Sequence, residues 1–239
     1  HNRMGLEKTK SDSVLANILP SQILKAYRNN ESVNRKYESC TVIFIKLLSV
    51  PSFSPERTKS ILMEMGVVIS RIEFCCDVFG VEKVKTVGTT FMAVVGAPKE
   101  TPDHLKQALL FALDVLKVTQ ECGHQVQIGV HTGSVVGGVI GTKIFWDIWG
   151  DTVNISSRMC YLSQAGHIQC AESVRDAFLA AYPDGRVRFT PREDKVQVKG
   201  KGIMQTYYVT SDKRLRHRNT KNTIAGKLTV TLDPTRPFC

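Results

Sequence analysis

The stretch Phe145-Trp-Asp-Ile-Trp-Gly-Asp-Thr-Val-Asn-Ile-Ser-Ser-Arg-Met159 leaves this chain few local choices. An acid stands between aromatic residues, a tight Gly150-Asp151 turn follows, and then a helix begins. Asp151 or Thr152 is expected as its N-cap, taking a hydrogen bond from the early helix amides. On that helix Asn154 and Arg158 stand one turn apart on one face, while Ile155 and Met159 share a neighbouring face that can pack inward. An amide beside a guanidinium, close to a placed carboxylate, can grip a nucleotide, because the planar fork of arginine fits phosphate oxygens. By spacing alone, Asn and Arg placed this way usually make a solvated helix face.

The remaining signals are those of an α+β domain. Leu6, Val14, Leu15, Ile18 and Leu19 form a partly heptad-like stripe broken at Pro20, after which Ser21 is expected to cap a second short helix. Cys40–Ile45 reads as a central strand, Pro51 to Pro55 as a loop, and Thr58 to Phe74 as a helix with apolar residues at helical spacing. Two strands then form a hairpin around Gly88-Thr89-Thr90, and a helix runs from Pro102-Asp103 to near Gly123. Val126–Val130 alternates as a strand and enters Thr132-Gly-Ser-Val-Val-Gly-Gly-Val-Ile-Gly141, whose glycines suggest close backbone approach and turns rather than a phosphate loop. Beyond the Asn154 helix come a strand at His167–Cys170, a helix from Ala171 (or capped by Ser173) to Ala181, and strands at 186–190, 195–199 and 206–210. Uneven alternation with hairpin links argues against a pure βαβ sheet.

Composition narrows the class. With 239 residues, 42% hydrophobic and 23% charged, the chain suits one globular domain plus extensions. It has no unbroken apolar run of about 18 residues and no basic-then-apolar leader, so neither a span nor a signal peptide is expected. The abrupt start at His1 suggests a fragment of something longer. Seven cysteines, odd in number and without a CxxC pair, read as reduced thiols of a cytosolic protein with no metal or disulfide. The net charge is +10, but residues 213–239 carry seven basic residues against Asp233 alone, a net of +6. Nucleic-acid modules concentrate basicity on a folded face with interleaved aromatics, so no nucleic-acid partner is expected. A solvated tail near anionic lipid headgroups fits better. His131, at a strand end with no cysteine or carboxylate nearby in sequence, reads as structural.

The segment Asp147-Ile-Trp-Gly-Asp-Thr-Val-Asn154-Ile-Ser-Ser-Arg158-Met resembles the signature of class III nucleotidyl cyclases, and more narrowly the second catalytic half, C2, of transmembrane adenylyl cyclases. The resemblance covers roughly residues 30–212 and implies a ferredoxin-like sheet with helices on one face. It implies three regions: a helical lead-in and dimerising element (1–30), a C2-like catalytic domain (31–212) and a basic C-terminal extension (213–239). It also implies residue roles. Lys85 and Asp147 match the adenine-contacting lysine and aspartate, where guanylyl cyclases usually carry Glu and Cys. Asn154 would orient the ribose, Arg158 would stabilise charge on the α-phosphate, and Lys199 would bind the triphosphate.

The family's two metal aspartates correspond to Lys46 and Thr89 here. Mg2+ or Mn2+ would therefore be ligated by a C1-type partner half, in the same or another chain, with ATP as the shared substrate. A head-to-tail pair of this kind has a second cleft, which in mammalian enzymes takes forskolin. Here it would be lined by Lys46 and Thr89, and the charged Lys46 argues against that ligand. A G-protein-type regulator on the helices 58–74 and 102–121 is a further implied partner. The inner face of a membrane is the implied location, with attachment through regions outside this chain. Two alternatives stay open: half of a guanylyl cyclase, opposed by Lys85 and Asp147, and a catalytically idle regulatory half, opposed by the retained Asn154, Arg158 and Lys199.

Overall fold

The computed structural model describes residues 15, 18–48, 58–140, 144–183, 187–198, 200 and 202–211. Most of the lead-in, Lys199 and the basic stretch 213–239 lie outside the described residues. Helix α1 (Ser21–Arg28) follows Pro20, which takes the N-cap position, so Ser21 is the first helical residue rather than the cap.

The chain then builds β1 (Arg35–Leu47), α2 (Thr58–Phe79), β2 (Glu82–Val87), β3 (Thr90–Val95), α3 (His104–Glu121) and β4 (Val126–Val139). This βαββαβ unit has the spatial order β2-β3-β1-β4, a ferredoxin-like arrangement. There follow β5 (Trp146–Trp149), α4 (Asp151–Leu162), β6 (His167–Ala171), α5 (Glu172–Ala181), β7 (Val187–Pro191), β8 (Val196–Val198), β9 (Gly202–Met204) and β10 (Thr206–Ser211). β6 extends the sheet by pairing in parallel with β4, and the sheet continues through β10 to β7. β5 folds back on the far end of β4, and β8 with β9 forms a separate hairpin.

The centre of β1, Cys40–Ile45, is nearly all apolar because both of its faces are covered. Ile43, Ile45 and Leu47 point into the larger core, where they meet Val68 and Ile72 of α2, Leu109 and Ala112 of α3, and Phe178 of α5. Val42 points the other way, into a core shared with Ile23 of α1, Met92, Trp146 and Ile148. The expectation of helices on one face is corrected here: α1 and α4 lie on the opposite face from α2, α3 and α5. α4 can lie directly on β4 because Gly129 has no side chain. A Cβ there would sit 2.0 Å from the backbone nitrogen of Cys160. Ser156 completes the contact, donating to the carbonyls of Val42 at 2.8 Å and Gly129 at 3.2 Å.

The glycine-rich run is strand, not turn, as far as Val139. Its close approach was legible and its conformation was not, since glycine carries no strand preference. A Cβ on Gly138 would lie 2.2 Å from Asn34 Oδ1, which accepts a hydrogen bond from the Val139 amide at 3.0 Å. Helix α2 continues to Phe79 rather than stopping at Phe74, and α3 begins at His104, after Asp103, whose carboxylate accepts from the Tyr182 hydroxyl instead of capping the helix. Helix α5 begins at Glu172, with Ala171 rather than Ser173 at the cap. The six described cysteines are free thiols, five of them buried. No described helix is long and apolar enough to cross a membrane.

Candidate active site

Asp147 and Lys85 meet across sixty-two positions of sequence. Lys85 Nζ donates to Asp147 Oδ2, and the Ile148 amide donates to Oδ1 at 2.9 Å. The carboxylate side chain is 6% exposed and the lysine 38%, so one end of the pair is inside and the other reaches solvent. A bulge in β2 makes this possible. Between Lys83 and Lys85 the register slips, so that Lys85 stands opposite Met92 rather than Phe91. Met92 belongs to the face that holds Trp146 and Ile148, whereas Phe91 points into the opposite core. The slip thus turns the lysine towards β5.

β5 hands directly to α4 through Gly150, whose φ of 138° favours glycine. Gly150 is the N-cap, with no side-chain cap bond, which corrects the expectation of Asp151 or Thr152. Thr152 instead donates to the Ser134 carbonyl at 2.7 Å and ties the helix start to β4, while Asp151 lies in the first turn. Ile155 and Met159 are buried against Val196 and Val198 of the β8–β9 hairpin. That leaves Asn154 exposed and Arg158 half-buried on the outer side of α4. Neither side chain hydrogen-bonds or ion-pairs with another described residue. Lys199, one residue beyond β8, lies outside the described residues.

Lys46 and Thr89 also come together, at the end of the β1–β3 pair. Lys46 stands opposite Thr90, and the Leu47 amide donates to the Thr89 carbonyl at 2.9 Å. The Lys46 ammonium lies over the ring of Tyr161, 5.4 Å from its centroid. Tyr161, 70% exposed and at the end of α4, had no motif to mark it in the sequence. An ammonium, a threonine and a phenol ring do not fit a divalent cation, which needs hard anionic oxygens. Among the described residues no group of three or more His, Cys, Asp or Glu side chains could hold a metal ion. His131, buried on β4 opposite Val42, is remote from both groups in the strand register.

Residues 32–211 match the family described as adenylate and guanylate cyclase catalytic domain. This chain belongs to that cyclase family. The cyclase domain is 34% identical over 208 residues to a membrane guanylyl cyclase of Dictyostelium discoideum, an overlap of 86% of this chain and 13% of that protein. It is 32% identical over 221 residues to an adenylate cyclase of Mycobacterium tuberculosis, covering 88% of this chain and 48% of that one. The guanylate cyclase domain of Catenaria anguillulae, solved in complex with GTP, is similar with a TM-score of 0.67 and 34% identity, over 74% of this chain and 98% of that one. The cyclase domain therefore spans less than half the length of these two sequence relatives. Cyclase domains of this class work as dimers on a nucleotide with Mg2+ or Mn2+.

Proposed function

We propose that this chain is the C2-type half of an adenylyl cyclase. In a cleft shared with a C1-type half, it would form cyclic AMP and pyrophosphate from ATP. The observation that carries the reading is the Lys85–Asp147 pair, with a buried carboxylate and a half-exposed ammonium side by side. A lysine donor and an aspartate acceptor suit the N1 and N6 edge of adenine, whereas guanine presents the reversed pattern. A buried polar group left unpaired by the wrong base is costly, so such a pair discriminates strongly.

Asn154 and Arg158, unengaged by described neighbours and presented on a helix tied to β4 at Thr152 and Ser156, are free to meet ribose and α-phosphate. The guanidinium meets the charge that builds on the α-phosphate as the 3′-oxygen bonds to phosphorus and pyrophosphate leaves. Lys199 follows the strand that packs on this helix and would hold the triphosphate. The metal carboxylates belong to the partner half, since Lys46 and Thr89 cannot supply them.

The test is to combine the chain with a C1-type domain bearing both metal aspartates and to assay ATP and GTP separately. Cyclic AMP formation by the pair and not by either half is expected. GTP is the second substrate to assay, because two of the relatives above are guanylyl cyclases. Preferential cyclic GMP formation would replace the adenylyl reading. No turnover of either nucleotide would support an idle regulatory half.

A further inference from the structure

Arg192 follows directly on β7 and carries no recognised motif, yet it ties the end of α4 to β6 and β10. Its Nη1 donates to the Leu162 carbonyl, at the last residue of α4, and to Gln169 Oε1 at 3.0 Å. Its own amide donates to the Thr206 carbonyl at 2.9 Å, and its carbonyl accepts from Gln205 Nε2 at 2.8 Å. The guanidinium also lies 6.0 Å from the centre of the Tyr208 ring. Gln169 is wholly buried on β6, where Nε2 donates to Thr206 Oγ1 at 3.3 Å and lies 4.0 Å from Met159 Sδ, the residue after Arg158. A cation at the C-terminal carbonyls of a helix also opposes the negative end of its dipole.

The β8–β9 hairpin begins just beyond Arg192, and its Val196 and Val198 pack on Ile155 and Met159 of α4. Arg192 therefore stands where the C-terminal end of α4, the sheet and the root of the hairpin leading to Lys199 converge. Gln127 holds the next carbonyl, that of Ser163, so the end of the helix has a second tie and survives loss of the first. Arg192 adds a polar tie between this end of α4 and the hairpin side, beside the apolar packing of Leu162 and Met159 in the cluster of Val196, Val198 and Met204.

We propose that Arg192 is a positioning residue for the cyclase reaction. It clamps the end of α4 against Gln169 and the hairpin root, and so sets where Arg158 and Asn154 stand relative to the sheet. The proposal rests on the cyclase reading above. Arg192 acts through α4 and touches no substrate. Its loss is felt where alignment matters, in the transition state, and not in ground-state recognition of the base at Lys85 and Asp147.

The test compares wild type, Arg192→Ala and Arg192→Lys in the reconstituted pair, well below the melting temperature of each, together with hydrogen exchange on the chain alone. Arg192→Ala is expected to lower kcat about tenfold or more with KM for ATP held within about twofold. Amides of 155–162 should exchange faster while those of α2 do not change. Arg192→Lys keeps the charge but cannot span Leu162 and Gln169 at once, so kcat should fall between the two. An unchanged kcat would overturn the proposal, as would a rise in KM equal to the fall in kcat or unaltered exchange in 155–162. If Arg192→Ala melts without cooperativity, the lysine variant decides on the same criteria. A wild-type pair without turnover would sink the functional reading, and the exchange comparison would still decide whether the clamp holds α4.

Discussion

The sheet formed by β1, β2 and β3 presents two lysines on one face, and they stand in opposite circumstances. Lys85, brought opposite Met92 by the bulge, meets the buried carboxylate of Asp147. Lys46 lies two residues along β1 from Phe44, which itself pairs with Met92; its ammonium lies over the Tyr161 ring and makes no ion pair with a described residue. The first lysine is half of a donor–acceptor pair that can read a base. The second, in the reading proposed above, is a cation that cannot ligate a metal ion. In that reading, the Lys85–Asp147 pair reads the base, the Asn154–Arg158 face meets ribose and phosphate, and Lys46 leaves the metal to the partner half.

The largest effect should come from removing the partner. Metal contributes several kcal/mol to such a transition state, on the order of 10³ in rate, so the purified chain alone should turn over ATP at no more than about a thousandth of the rate of the pair, even in high Mn2+. Robust turnover by the chain alone would erase the distinction between the two lysines. The comparison sharpens further with Lys46→Asp and Thr89→Asp together. If the metal position is the only deficiency, this double variant should form cyclic AMP without a C1-type half, in a Mn2+-dependent assay.

Next in size is Arg158→Ala in the reconstituted pair. Loss of one preorganised charge at the reacting centre typically costs about 10² in kcat, and KM should move far less. Unchanged kcat would place Arg158 outside the cleft. Smaller is the shift in base preference. Lys85→Glu with Asp147→Cys should cut ATP use and move the ATP:GTP ratio of kcat/KM by roughly tenfold or more towards GTP. Either single change should mainly damage ATP use, because each leaves one buried group mismatched. If the ratio in the double variant stays at the wild-type value, the pair does not read the base.

The smallest effect concerns stability at the outer edge of the same sheet. Burial, with a lesser contribution from the Asp77 charge, raises the Glu82 carboxyl to about 7. The folded chain then holds a proton that the unfolded chain has released. Between about pH 4.5 and 7 the stability contributed by Glu82 therefore falls as pH rises. Glu82→Gln should raise stability at pH 8 by on the order of 1–2 kcal/mol, discounted for partial exposure, and should do nothing at pH 4. Thermal melts of the chain at the two pH values check this. An equal gain at both would remove charge as the cause.

Much of the site was legible before any fold was known, because helical periodicity is local. Asn154 and Arg158 had to share one face and Ile155 and Met159 another, and they do. The hairpin of β2 and β3, the two long helices and the strand at β1 were legible for the same reason: a run of apolar residues at period two or 3.6 names its element without help from elsewhere. The caps were less legible. Asp151 and Thr152 are both good capping types, but Thr152 found a better acceptor on β4, a partner that local sequence cannot show.

Other features existed only once distant segments met. The glycine run gave no strand signal, since Gly138 leaves room for Asn34 and Gly137 for Tyr37 and Trp146, and β5, only four residues long, takes its conformation from pairing with that same strand. The side of the sheet on which α4 lies was settled by Gly129, which leaves room for the Cys160 backbone. Lys85 and Asp147 were named in advance by their resemblance to a known signature. Their contact depended on a one-residue slip in β2, and in a strand one residue exchanges one face for the other. Sequence by itself determined which side chains were available and how they were spaced along each element. Tertiary structure alone decided which of them met, because close approach, register and burial are properties of pairs of segments rather than of either one.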